Sequence, residues 1–103
     1  MVKIAKVSKE EARRLLGDVP DDKRFWCHDG KVIRNLRELR KALNEMSDET
    51  FHYHLGGGKN DFIKWIREVV GDNKLAEALG ETRSRMQASQ AVAERTSFLE
   101  HKT

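Results

Sequence analysis

Asn35-Leu36-Arg37-Glu38-Leu39-Arg40-Lys41-Ala42-Leu43-Asn44-Glu45-Met46 places Leu36, Leu39, Ala42, Leu43 and Met46 at intervals of three and four residues. That spacing winds the apolar side chains onto one face of an α-helix. Asn35 is the expected cap, because its side-chain oxygen can accept a bond from the free amides of the first turn. The positions between the leucines are mostly basic. Arg34, Arg37 and Arg40 follow one another at three-residue steps, Lys41 adjoins them, and Glu38 is the one acid among them. This segment therefore predicts a helix with a leucine face toward a core and a guanidinium ridge toward solvent.

Just upstream, Arg24-Phe25-Trp26-Cys27-His28 and Lys31-Val32-Ile33-Arg34 flank Asp29-Gly30. Aromatic and β-branched flanks favour strands, and Asp-Gly is the signal for a two-residue type I′ hairpin turn. A β-hairpin is thus predicted near residues 24–34, and two strands this short must lie on the helices to persist. Alternation leaves two registers. Either Phe25 and Cys27 face inward and Trp26 stands outward beside Lys31, or Trp26 is buried. Earlier still, Ser8 and Glu11 have capping-box spacing before Ala12, Leu15 and Leu16, and Gly17 with Pro20 ends that helix.

Downstream, Ser47 or Asp48 opens a helix through Phe51 that Gly56-Gly57-Gly58 terminates. Asn60 or Asp61 caps the next, whose Phe62, Ile63, Trp65, Ile66, Val69 and Val70 cover so much of its circumference that it is expected to be the central element. Gly71-Asp72 then leads into a short helix with Leu75, Ala76, Ala78 and Leu79. The core is expected from Leu15, Leu16, Phe25, Leu36, Leu39, Leu43, Met46, Phe51, Phe62, Trp65, Ile66, Val69, Leu75 and Leu79. After Gly80 only Met86, Val92, Phe98 and Leu99 are larger apolar residues, in a weak stripe. The expected fold is mainly α: a compact helical domain over residues 1–80 with one short β-hairpin, and a C-terminal helical arm over 81–103. That arm is read as a dimerisation or docking element through Met86, Val92, Phe98 and Leu99, with a frayed tail as the ordinary alternative.

The stretch from Phe25 to about Leu79 resembles a small prokaryotic domain family, mainly archaeal, of unknown function. The resemblance is carried by the His28-Asp29-Gly30 hairpin, by Thr50-Phe51-His52-Tyr53-His54, by Asn60-Asp61-Phe62 with Trp65-Ile66, and by Gly71-Asp72 before Leu75-Ala76. It implies a compact, mostly helical unit with a small hairpin, and it implies no activity.

The 103 residues fit one domain, and a formal net charge of +3 is mildly basic. The excess is unevenly placed: residues 1–60 hold 13 basic and 10 acidic side chains, residues 61–103 hold 7 of each. One cysteine excludes an intramolecular disulfide framework and suits a reducing compartment. No stretch approaches the ~20 apolar residues of a membrane-spanning helix, and Met1–Lys6 lacks the apolar run of a secretory signal. The expected setting is cytoplasmic.

Catalytic and metal chemistry find little purchase. Zinc needs thiolate and imidazole ligands in tetrahedral array. Cys27 and His28 are adjacent on a strand and point apart, while His52 and His54, two apart on a helix, face different sides. No catalytic residues, metal or cofactor are assigned, although Cys27 with His54 is the pair a nucleophilic enzyme would need. Gly56-Gly57-Gly58-Lys59 is not a phosphate loop, since a helix precedes it and an acidic cap follows.

The ridge is the stronger signal. Guanidinium groups grip phosphate oxygens bidentately. The expected function is a non-enzymatic binding factor that contacts the phosphate backbone of structured RNA, in a ribosome-associated role. Lys31, Arg34, Arg37, Arg40, Lys41, Lys59 and, if outward, Trp26 would form the contact. The alternative is a homo-oligomeric protein-interaction or regulatory module whose charged helix face is merely solvated.

Overall fold

The computed structural model describes residues 7–103, so the reading of Met1–Lys6 lies outside the described residues. Six α-helices and one two-stranded hairpin follow in the order α1 (Lys9–Leu16), β1 (Phe25–Trp26), β2 (Val32–Ile33), α2 (Leu36–Glu45), α3 (Asp48–Tyr53), α4 (Asp61–Trp65), α5 (Asn73–Gly80) and α6 (Arg85–Lys102). The protein is mainly α, as its periodicity predicts.

Side-chain caps start the helices where the sequence places them. Ser8, Asn35, Ser47, Asn60 and Asp72 each accept from a backbone amide three residues on. Between Leu55 and Lys59 the three glycines make a 3₁₀ turn in which Gly57 and Gly58 have φ of 70° and 77°, a conformation that side chains with a Cβ seldom adopt. Helix α4 widens into a π-helical segment, Ile66–Val70, closed by the Gly71 amide donating to the Ile66 carbonyl at 2.8 Å. The widened turn rotates the last residues, so Val70 is buried and Val69, expected in the core, is only partly so. The other expected core residues are all buried.

The hairpin pairs Phe25 with Ile33 and Trp26 with Val32. Its loop corrects the two-residue expectation. Cys27 N–H donates to the Lys31 carbonyl and Gly30 N–H donates back to the Cys27 carbonyl, both at 2.9 Å, which leaves His28, Asp29 and Gly30 as a three-residue loop. Gly30 alone has positive φ, 94°, so the turn needs left-handed backbone at one position rather than the two of a type I′ turn.

Residues 81–103 are not a detached arm. Helix α6 lies across α2, α1 and α5 of its own chain and buries Ala88, Ser89, Val92, Thr96 and Leu99. Val92 and Leu99, expected on an association surface, are fully buried inside the molecule, while Met86 and Phe98 stay exposed. The buried positions recur at helical spacing, but most carry small side chains. Polar contacts fix the helix at several points. Arg85 donates to the Leu43 carbonyl at 2.8 Å and to Asp48 at 2.8 Å, bracing the junction of α2 and α3. Arg95 grips Asp72 with two bonds of 2.8 and 2.9 Å.

Candidate nucleic-acid interface

The seven residues expected at the nucleic-acid contact do not behave alike. Arg34 is locked locally. Its guanidinium binds Glu38 at 2.7 Å and its backbone amide donates to the same carboxylate at 2.8 Å. That guanidinium holds the Glu38 carboxyl below the usual carboxylate range, and Glu38 raises Arg34 in turn. Lys31 reaches Glu45 at 3.1 Å, and Lys59, on the glycine loop, lies 3.7 Å from Asp61.

Arg37, Arg40 and Lys41 are different. They line one open groove of about 930 Å³ between α2 and α6, together with Asn44, Ser89 and Gln90. Arg40 and Lys41 are exposed and meet no acid among the described residues. Arg37 donates to Glu100 at 2.7 Å, the one acid among the described residues of the groove wall. The groove thus presents three cations against one carboxylate, with amide and hydroxyl groups and the apolar side chains of Met86 and Ala93 between them. Lys41 also borders a smaller cleft of about 290 Å³ between α2 and the hairpin, walled by Lys31, Val32 and Glu45.

Trp26 takes the outward register. It is 70% exposed, whereas Phe25 and Cys27 on either side are buried. Phe25 packs against the rings of His54, Phe62 and Trp65, which settles which face of the hairpin points to the core.

The histidines and the cysteine are not gathered into a site. His54 is buried; its Nε2 accepts the His28 amide at 3.0 Å, so its Nδ1 carries the proton toward Asp61 at 2.9 Å. Both ring nitrogens are engaged in tying the hairpin to α4, and neither is directed at Cys27. Burial pushes the Cys27 thiol up from its ordinary value, away from the thiolate a nucleophile needs. His52 bonds the Asp48 carbonyl at 2.8 Å, and His28 stacks on Tyr53 with centroids 3.8 Å apart. Among the described residues no three His, Cys, Asp or Glu side chains come together in metal-binding geometry.

Sequence reasoning missed the α6 wall of the groove. Its signal was present: Ser84 caps α6 by accepting from Gln87 N–H at 3.1 Å, and Gln87 accepts from the Arg83 amide at 2.8 Å. The Ser-x-x-Gln start has capping-box spacing, but the stripe that follows it, Ala88, Val92, Thr96 and Leu99, holds too few large apolar side chains to stand out. The fold and the groove together define a small helical domain with a cationic cleft between its second and last helices. No family model, curated protein or solved structure gives a significant match to the chain. No helix among the described residues is long and apolar enough to cross a membrane.

Proposed function

We propose that this domain binds the phosphate backbone of structured RNA in the groove between α2 and α6, as a non-enzymatic, ribosome-associated factor of the cytoplasm. The observation that supports this reading is the convergence of Arg37, Arg40 and Lys41 with Asn44 and Gln90 on one open surface. Phosphate oxygens satisfy guanidinium and ammonium donors without demanding a base sequence, and the amides can serve sugar hydroxyls. Arg34, Lys31 and Lys59 do not line this groove and are each beside a carboxylate, so they contribute long-range attraction at most. The likeness to the archaeal domain family of unknown function, proposed on motifs alone, adds no activity to this reading.

The test is binding to ribosomes and total RNA across a salt series. Affinity should fall with salt, and Arg40→Ala with Lys41→Ala should flatten the logarithmic slope by about 0.7 to 0.9 for each phosphate no longer neutralised. Affinity indifferent to salt, or unchanged in the double variant, refutes the groove as a phosphate site. A homo-oligomeric interaction module is the second reading, and the exposure of Met86 and Phe98 favours it. A monomer by light scattering at high protein concentration removes it.

A further inference from the structure

Resting on the groove reading, one feature of the hairpin points to the kind of RNA it takes. Trp26 pairs directly with Val32, and residues opposite each other in an antiparallel pair project from the same face. Trp26 and Val32 therefore share the outward face of the hairpin. Val32 also walls the cleft that Lys41 borders, and Lys41 lines the larger groove with Arg37 and Arg40. Val32 and Lys41 thus link the hairpin face that carries the exposed indole, the cleft and the cationic groove in that order.

We propose that Trp26 is a stacking platform for an unpaired nucleobase, and that the strand carrying this base runs over Lys41 into the Arg37–Arg40 groove. The ligand is then RNA with a single-stranded stretch, rather than uninterrupted duplex. The indole is 70% exposed and stacks on no other ring among the described residues, so one π-face is open to a base. A base inside a duplex offers no such face, whereas an unstacked one does. The acids of the intervening cleft, Glu38 and Glu45, are neutralised by Arg34 and Lys31, which leaves Lys41 as the uncompensated charge along the path. An aromatic platform beside a cationic track is the arrangement that holds single strands. Because the charge along this surface is positive, a polynucleotide is the favoured occupant over an apolar peptide.

The experiment compares the full chain with Trp26→Ala, Trp26→Phe and Arg40→Ala/Lys41→Ala on two fluorescein-labelled probes, an oligouridylate of about 12 nucleotides and a blunt RNA duplex of the same length. Expected are tighter binding of the wild type to the single strand and quenching of its tryptophan emission on binding. Trp26→Ala should weaken single-strand affinity about tenfold, abolish the quenching although Trp65 remains, and leave duplex affinity and salt slope unchanged. Trp26→Phe should retain most of the affinity. If Trp26→Ala binds the single strand as tightly as wild type, or weakens on both probes equally, the stacking proposal is overturned and the groove reading stands. If Arg40→Ala/Lys41→Ala binds both probes like wild type, or wild type binds neither, the groove reading falls and takes this path with it. Because Trp26 is exposed, unchanged thermal midpoints in both Trp26 variants are expected.

Discussion

Asp72 has two tasks in one buried carboxylate. Its Oδ1 accepts the Leu75 amide and so starts α5, and both oxygens receive the Arg95 guanidinium from α6. The Asp72 side chain is 1% exposed and that of Arg95 15%, so each charge depends on the other for compensation. Removing one member of such a pair costs about 3–5 kcal/mol, because the survivor is left buried and unpaired. Arg95→Ala should therefore lower the urea midpoint by an amount near 3 kcal/mol at an unchanged m-value. A loss below about 1 kcal/mol would show that water replaces the guanidinium. Arg37–Glu100 is the opposite case, half-exposed on both sides and worth at most about 1 kcal/mol. Glu100→Gln should leave stability nearly unchanged while strengthening RNA binding a few-fold at low salt, since it frees Arg37 and removes the carboxylate from the groove wall; weaker binding by this variant would contradict the groove reading. Cys27 supplies a pH dependence. Its folded-state thiol is raised by burial, so the unfolded chain ionises first, above about pH 8.5. Its favourable contribution is complete below that pH and is lost as pH rises toward the folded value. Cys27→Ala should flatten this alkaline fall in thermal midpoint, and an identical pH profile in the two proteins would show that burial does not hold the thiol neutral.

The hairpin has only two residues per strand and cannot persist by its own ladder. It is held by Phe25 in the aromatic cluster and by His54, which accepts the His28 amide while Asp61 fixes the imidazole tautomer. His54→Ala leaves that amide without its partner, at a cost of about 1–3 kcal/mol. Amide exchange at His28 should accelerate well beyond the change at Leu39 in α2, and equal acceleration at both sites would mean that His54 supports the whole core instead. How far this element could be read from sequence depends on the kind of interaction. Asp29-Gly30 and the aromatic flanks locate the hairpin, because turn chemistry is local. They do not determine the loop length, because two-residue and three-residue loops both use Gly in the left-handed region and the tertiary clamp at His28 selects between them. The same division applies to the groove. Arg37, Arg40 and Lys41 are legible as one ridge because helical spacing brings them together. Their partners on α6 are not, because Arg37–Glu100 spans 63 positions and nothing local encodes that approach.

At the scale of the molecule, the decisive element is α6. The last 23 residues are poor in large apolar side chains, and their buried stripe is Ala88, Ser89, Val92, Thr96 and Leu99. Serine and threonine are mostly exposed in folded proteins and alanine is small, so a stripe built from them gives a faint signal even where it seals a core. Yet Leu36, Leu39 and Leu43 on α2 are fully buried in a molecule where α6 is the main partner of that helix. Without α6 part of this leucine face meets water, Asp72 loses Arg95, and the carbonyls of Leu43 and Asn44 lose Arg85. Exposing even one large aliphatic side chain costs about 1.5–3 kcal/mol, and a domain this size holds only about 5–15 kcal/mol in reserve. A chain ending at Gly80 should therefore lack a cooperative thermal transition and bind a hydrophobic dye. Leu99→Ala in the full chain should lose about 2–5 kcal/mol while folding remains cooperative. If the shortened chain melts cooperatively near the full-length midpoint, residues 81–103 are a dispensable arm, and the groove that depends on them has no fixed second wall.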